Sequence, residues 1–401
     1  MNGWNLRVRA RKTSLILGLA GGVLSVSCNE DDTTGPTAPS DVEPAASTAA
    51  TQALAFYQVA GGGLHTCGIT TDNKMYCWGL NDMGQLGDGS KNSHLRPFPV
   101  AGTLRFRQVS AGDNHTCGVT TDYRAYCWGQ NFGALGDGTL THRLSPVPVA
   151  GGHRFRQVDA GQNHTCGVSY PDNRAYCWPG AGPSGSTNTA SLVPVAVSGG
   201  LLFQQVSAGA QHSCGVTTGE KAYCWGANTY GQLGDGSNLH RVTPSPVAGT
   251  RRFRQIDAGM QHTCAVTAST LAFCWGNGTN GEMGDGNTKL SNSPRAVAGG
   301  RTFDRVTVGK AHSCGEATDN RAYCWGVNAN LQLGDGTTAI RRLTPVAVVG
   351  GHFFTQMSAG GFHTCAKTAA GVAYCWGYGF AGALGDGKAT ESSRPVPVAG
   401  P

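Results

Sequence analysis

From about residue 54 onward the chain repeats itself with a period near 50 residues, and this periodicity constrains the fold more than any other feature. Segments such as AGDNHTCGVTTDYRAYCWG and AGAQHSCGVTTGEKAYCWG recur seven times, with tryptophans at Trp78, Trp128, Trp178, Trp225, Trp275, Trp325 and Trp376. Six of the seven continue into an (L/M)GDG motif, beginning at Leu86, Leu135, Leu233, Met283, Leu333 and Leu384, and most close on a Pro-Val pair before a glycine. Each unit offers four short strand candidates. In the second they are Phe106–Ser110, His115–Thr120, Arg124–Trp128 and Val147–Ala150, separated by glycine-containing turns. Four strands cannot bury their own faces, whereas seven such units arranged radially cover one another. The expected fold is therefore all-β, a seven-bladed β-propeller of four-stranded blades. Both faces of each blade are then covered, so the strands need not alternate between polar and apolar residues. The prolines of PVPV suit an outer edge strand, where a missing N–H costs little. Ring closure is open at this point: Pro395–Val398 completes the last blade, or residues before Phe56 supply a closing strand.

The order Gly-x-x-His, strand, turn, a strand ending in Trp-Gly, then Gly-Gln-Leu-Gly-x-Gly resembles the regulator-of-chromosome-condensation repeat. GQLGDG stands intact at Gly84–Gly89 and Gly231–Gly236. The resemblance covers about residues 54–401 and implies a seven-bladed propeller. It implies no single activity, because relatives include a nuclear nucleotide-exchange factor, light sensors, ligase modules and a secreted bacterial β-lactamase inhibitor. The third unit departs from the pattern after Trp178, where PGAGPSGSTNTASLVPV lacks the GDG motif and is shortened.

Fourteen of the 15 cysteines fall into seven pairs, one per unit. The pairs are Cys67 with Cys77, Cys117 with Cys127, Cys166 with Cys177, Cys214 with Cys224, Cys264 with Cys274, Cys314 with Cys324, and Cys365 with Cys375. If Cys67 lies opposite Cys77 in a hairpin, Thr70 pairs with Lys74 and leaves the three-residue loop Thr71-Asp72-Asn73. Such loops end on a residue that tolerates the left-handed conformation, as Asn73, Asn320 and Gly371 do. Opposed residues in an antiparallel pair lie within disulfide reach, so seven disulfides, one per blade, are expected. Each closes a short loop and stabilises by about 2 kcal/mol. A competing metal reading, His-x-Cys plus the second cysteine, conflicts with the tighter cysteine spacing that zinc sites use. No metal or cofactor is expected.

The first residues read as an export signal. Arg7, Arg9, Arg11 and Lys12 precede the apolar run LILGLAGGVL, which is too short to span a bilayer. Residues 1–27 are expected to be a signal peptide cleaved before Cys28, the cysteine left over from the pairs. A cysteine at that place resembles a bacterial lipoprotein signal, which implies lipidation of Cys28. Residues 28–53, polar and rich in Pro, Ala, Ser and Thr, read as a tether. The chain is expected at the cell envelope, lipid-anchored or else periplasmic or secreted, and monomeric.

Recurrent polar residues are candidates for chemistry. Seven histidines precede the first cysteine of each unit: His65, His115, His164, His212, His262, His312 and His363. A residue placed identically in every repeat is expected to make the same inter-blade hydrogen bond. The GDG aspartates (Asp88, Asp137, Asp235, Asp285, Asp335, Asp386) read as turn chemistry. Catalytic signatures are absent: there is no G-x-S-x-G, no phosphate loop and no H-E-x-x-H. The propeller residues 54–401 carry 26 basic and 19 acidic side chains with no basic block of the kind nucleic-acid arms show. Arg105, Arg107, Arg154, Arg156, Arg251, Arg252 and Arg254 flank the first strand of their units, and Arg341 and Arg342 follow a GDG loop, as Arg143 and Arg241 do. Together they make a candidate basic rim for an anionic partner.

The expected function is a non-catalytic, envelope-exposed binding or scaffold module that holds a protein or glycan on one propeller face. Nucleic acid is not an expected partner. The alternatives are nucleotide exchange on a small GTPase, implied by the family resemblance, and an envelope enzyme or enzyme inhibitor. An enzyme would need an asymmetric acidic cluster at one channel mouth.

Overall fold

The computed structural model describes residues 54–179 and 191–401. The expected signal, tether and Cys28 lie outside the described residues, as does the 180–190 stretch of the shortened connection in blade three. Seven four-stranded antiparallel sheets follow one another along the chain. Blade one consists of Phe56–Gly61, His65–Thr70, Met75–Gly79 and His94–Pro99, hydrogen-bonded in that order. The later blades repeat the arrangement, and the last ends on Ser392–Pro397. In blade three the outer strand shrinks to Val195–Ala196.

The pattern of burial explains the composition of each strand. Second strands such as HTCGVT of blade two are buried at every position, because a neighbouring blade covers each face. Outer strands such as RLSPVP (Arg143–Pro148) are half-buried or exposed and hold the prolines at the edge of the sheet. In blade two the outer strand is Arg143–Pro148 rather than Val147–Ala150. Pairing begins where Arg143 meets Gly129 and ends where Pro148 meets Tyr126. The apolar end of the motif is a strand terminus that turns inward, with Ala150 N–H bonded to Gly136 O.

The core lies between blades. Cys214, Val216 and Leu233 of blade four pack with Phe253, Ile256 and Trp275 of blade five. The closure follows the same rule: Phe56, Val59 and Trp78 of blade one pack with Cys365, Ala373 and Leu384 of blade seven. Ser392–Pro397 pairs with the third strand of blade seven, so the carboxyl-terminal segment completes its own blade. The ring is closed by side-chain packing and by single backbone hydrogen bonds, Gly361 N–H to Gly62 O and Phe56 N–H to Gly371 O, and not by a shared sheet.

The second and third strands meet as the cysteine spacing requires. Cys67 faces Cys77, with Thr70 N–H bonded to Lys74 O, and Asn73 has φ of 64°. Every expected pair is disulfide-bonded. Cys67 joins Cys77, Cys117 joins Cys127, Cys166 joins Cys177, and Cys214 joins Cys224. Cys264 joins Cys274, Cys314 joins Cys324, and Cys365 joins Cys375. Their Cα–Cα distances run from 4.0 to 4.1 Å. Such close approach belongs to the non-hydrogen-bonded sites of an antiparallel ladder, and Cys67 and Cys77 occupy one, three steps from the bonded Thr70 and Lys74. The GDG segments tuck under the next blade. Gly234, with φ of +67°, lies so close to Trp275 that a Cβ there would stand 2.6 Å from the indole nitrogen.

Candidate functional site

Three rings of polar contacts run from blade to blade, and they account for most of the recurrent residues. Each of the seven histidines places Nε2 at 2.7–2.9 Å from a Thr or Ser hydroxyl of the next blade, and His363 closes the ring on Thr66. Six of those hydroxyls donate to a backbone carbonyl, as Thr116 does to Gln85 O at 2.8 Å. A hydroxyl has one proton, so each of these six accepts from its histidine, which is neutral with its proton on Nε2. Burial pushes all seven pKa values down, to about 3 or 4. These imidazoles are bolts between blades. Among the described residues no group of His, Cys, Asp and Glu is gathered as a metal site.

The second ring is made by glutamines of the innermost strands. Gln108 donates to Val158 O at 2.9 Å and accepts from Val158 N–H at 3.0 Å. Gln58, Gln157, Gln205, Gln255 and Gln356 repeat the donation at their own junctions. Blade six breaks the ring, because Arg305 stands where the glutamine should be. The accepting half of its work is taken over by Glu316, which receives the Met357 N–H from a position that is Val or Ile in the first five blades. Burial pushes the Glu316 carboxyl up to about 7, against the pull of the Met357 hydrogen bond and Arg305.

The third ring contains acids that the sequence patterns did not single out. Ser110 Oγ donates to Asp159 Oδ1 at 3.0 Å, and Ala208 N–H to Asp159 Oδ2 at 2.7 Å. Ser207 and Val308 hold the two oxygens of Asp257 in the same way. Burial raises Asp159 to about 6, and burial together with the charge of Asp159 raises Asp257 to about 7. Both carboxylates have their oxygens engaged by neighbouring blades, which makes them fasteners. The one available signal was FRQVDAG and FRQIDAG, where sister blades carry Ala, Ser or Thr before the Ala-Gly or its equivalent.

The innermost strands enclose a channel of about 860 Å³. At the end of those strands the Asp113 carboxylate of blade two meets the Lys310 ammonium of blade six at 2.6 Å, an ion pair across the channel. At the other end, in every blade, the register slips by one residue after the first Phe, as between Phe106 and Gln108. A bulge re-aims its extra side chain. The bulge residues are Tyr57, Arg107, Arg156, Gln204, Arg254, Asp304 and Thr355. Arg156 donates to Phe203 O at 2.7 Å, and Arg254 pairs with Asp304 at 3.0 Å.

The arginines grouped together by sequence are separated in space. Arg105, Arg107, Arg154, Arg156, Arg251, Arg252 and Arg254 lie on the face that carries the turns between second and third strands, here called the turn face. Arg105, Arg107, Arg154, Arg251 and Arg252 are exposed there. Arg251 packs over Phe273, and Arg252 pairs with Glu220 at 3.6 Å. Arg341 and Arg342 begin an outer strand on the opposite face and do not join them. Arg342 is bound to Asp335 at 2.8 Å, the same pairing that Arg143 makes with Asp137 and Arg241 with Asp235. Those aspartates are almost fully buried; burial alone would raise them, but the hydrogen bonds from the turn and the arginine outweigh it and hold them low. The GDG aspartate is therefore an anchor for the outer strand.

Four-stranded blades bolted through a Gly-x-x-His turn define a propeller of one particular repeat. The chain belongs to the RCC1-like domain family, whose description matches residues 16–366, with a Regulator of chromosome condensation (RCC1) repeat matched at residues 354–383. The E3 ubiquitin-protein ligase HERC2 of Homo sapiens is 51% identical over 43 residues, which are 11% of this chain and 1% of that ligase. Prp20p from Saccharomyces cerevisiae, whose binding to Gsp1p and histones has been characterised, is similar in fold with a TM-score of 0.74. It is 22% identical, over 82% of this chain and 87% of that one. The ectodomain of the Arabidopsis thaliana receptor kinase ACR4 has a TM-score of 0.54 at 21% identity, over 82% of this chain and 99% of its own. At these identities the likeness shows the fold.

Proposed function

We propose that the protein is a non-catalytic binding module that holds an anionic partner on its turn face. The observation that carries this is a local excess of arginine over acid on the turn face of blades two and three. Blades two and three bring Arg105, Arg107, Arg124, Arg154, Arg156 and Arg174 to that face against Asp122 and Asp172. On the opposite face Arg143, Arg241, Arg295 and Arg342 are each neutralised by a buried GDG aspartate. An uncompensated patch of one sign steers and holds a partner of the other. Disulfides persist in oxidising compartments, which supports an exported setting for that partner. No helix among the described residues is long and apolar enough to cross a membrane.

The test compares the oxidised chain with a triple variant, Arg105→Glu, Arg154→Glu and Arg174→Glu, in capture from envelope extract at low and high salt. A control carries Lys289→Glu and Lys388→Glu on the other face. The partner should be lost from the triple variant and at high salt, and kept by the control. A partner kept by the triple variant would overturn the reading, as would nucleotide release from a small GTPase that the triple variant still catalyses.

A further inference from the structure

The turns of blades two and three carry a feature that the repeat does not call for. At the left-handed position of the hairpin turn, blades one, three and six use Asn73, Asn173 and Asn320, blade seven uses Gly371, and blades four and five use Glu220 and Thr270. Blade two places an aromatic residue there, Tyr123, with φ of 70°, a conformation in which a bulky side chain is costly. Blade three has the one cysteine spacing of eleven, so its turn is a residue longer. That turn begins with Tyr170, where the six sister turns begin with Thr or Ala. The two rings stack across the blade boundary, 4.0 Å apart and 11° from parallel. The Arg107 guanidinium lies 4.3 Å from the Tyr123 centroid. Two groups cannot share one side of a ring at such distances, so Tyr123 is sandwiched between Arg107 and Tyr170. Tyr170 remains 40% exposed.

Charge surrounds the stack. Tyr170 N–H bonds to Arg154 O and Thr121 N–H to Arg105 O, which fixes the backbone of both arginines beside it. Arg124 and Arg154 face each other in a β-bridge, a like-charge pairing that is unfavourable unless an anion joins it. Asp122 reaches Arg124 at 3.3 Å and leaves Arg105, Arg154 and Arg174 exposed.

We propose that the Tyr170–Tyr123–Arg107 stack is a saccharide platform, and that the turn face binds an acidic polysaccharide. This rests on the binding role assigned above to the same face. The free face of the Tyr170 ring is electron-rich and receives the polarised C–H face of a pyranose. The flanking arginines take its carboxylate or sulfate groups in bidentate fashion. A disordered acidic peptide would use the arginines but would have no need of a flat ring. Nucleic acid would use both, but the disulfides favour an exported, oxidising compartment, away from the cell's own nucleic acid.

The test titrates the oxidised chain with polygalacturonate oligomers, with neutral dextran, poly-glutamate and single-stranded DNA as competing probes. The variants are Tyr170→Thr, Tyr123→Asn and the triple arginine variant. Polygalacturonate should bind best, and Tyr170→Thr should weaken it about tenfold, the usual scale for loss of one stacking partner. Poly-glutamate binding should not respond to Tyr170→Thr. Tyr123→Asn restores the residue of three sister turns, so it should keep or raise thermal stability while weakening the glycan. Equal binding by wild type and Tyr170→Thr would overturn the platform and leave the charged face intact. DNA binding tighter than polygalacturonate would overturn it in favour of a nucleic-acid partner. Loss of no probe in the triple arginine variant would overturn the binding face itself.

Discussion

Acid should unfold this propeller despite its seven disulfides, because the histidine ring cannot be charged in place. Each imidazole is buried with its Nε2 on a hydroxyl, and titrates in the fold at about 3 or 4 instead of 6.5. A pKa depressed by folding contributes stability that is present above pH 6.5 and lost as pH falls towards the folded value. Below pH 6.5 each histidine that stays neutral in the fold gives up about 1.4 kcal/mol per pH unit, and the seven do so together. Glu316, Asp257 and Asp159 act with the opposite sign. Their carboxyls are raised to about 7, 7 and 6, so they favour the fold as pH falls through those values. They are three against seven, so they offset less than half of that loss, and the remainder is comparable with the whole stability of an ordinary domain.

The assay is tryptophan fluorescence and near-ultraviolet circular dichroism from pH 7.5 to 3.5, with thiol titration to show that the disulfides stay closed. The seven buried tryptophans make the transition visible. It should fall between about pH 5 and 4 and be accompanied by net proton uptake, measured potentiometrically. The variant His262→Gln keeps an N–H donor for Ser313 and removes one titrating group, so its acid limb should be shallower by about 1.4 kcal/mol per pH unit. A native spectrum at equilibrium at pH 4, or unfolding without proton uptake, would refute the reasoning.

Two further outcomes follow from single positions. Glu316→Gln keeps an acceptor for Met357 N–H and removes a carboxyl whose pKa is raised to about 7. Its stability relative to wild type should therefore grow by about 1 kcal/mol between pH 6 and 7 and then level off, as read from guanidinium midpoints; a flat difference would be fatal to this account. Gly234→Ala puts a Cβ against the Trp275 indole at a φ of +67°, and should lower stability by about 3 kcal/mol in the same measurement.

Much of the fold was legible because repetition averages over local ambiguity. A single GxxH or LGDG motif says little, but seven copies of the first and six of the second fix the number of blades, the strand count and the cysteine register. The hairpin turn could be placed to the residue, since Cys67, Thr70, Asn73 and Lys74 each restrict it. The outer strand of blade two begins at Arg143, ahead of the expected Val147. Arg143-Leu144-Ser145 carries no strand signature of its own and is held by pairing with the third strand and by Asp137. Closure was not legible, because both candidate segments sit at blade boundaries and only the strand pairing of Ser392–Pro397 and the packing of Phe56 with Leu384 distinguish them.

The site was harder to read, for a reason that lies in the geometry of contacts. Asp113 and Lys310 are far apart in sequence and meet across the channel. Arg251 and Arg342 look alike in sequence, each in an Arg-Arg pair beside a strand, yet one caps Phe273 on the turn face and the other is bound to Asp335 on the opposite face. Only the direction of the chain in each blade separates them.

Dividing out the repeat gives the most direct route from this structure to function. A residue present in all or nearly all blades is explained by what every blade needs: histidine for the bolt, tryptophan for the core, the GDG aspartate for the outer strand. Departures then sort by whether a neighbour compensates them. Arg305 is compensated by Glu316, and Asp159 and Asp257 by the serines and backbone N–H groups that hold them, so these exceptions are absorbed within the ring. Tyr123 and Tyr170 are different. They compensate each other only in part: Tyr123 keeps an unfavourable backbone conformation, and Tyr170 keeps an exposed ring among arginines with few counter-charges. A departure that costs stability and gains no internal contact equal to it is what a binding residue looks like before its ligand is present.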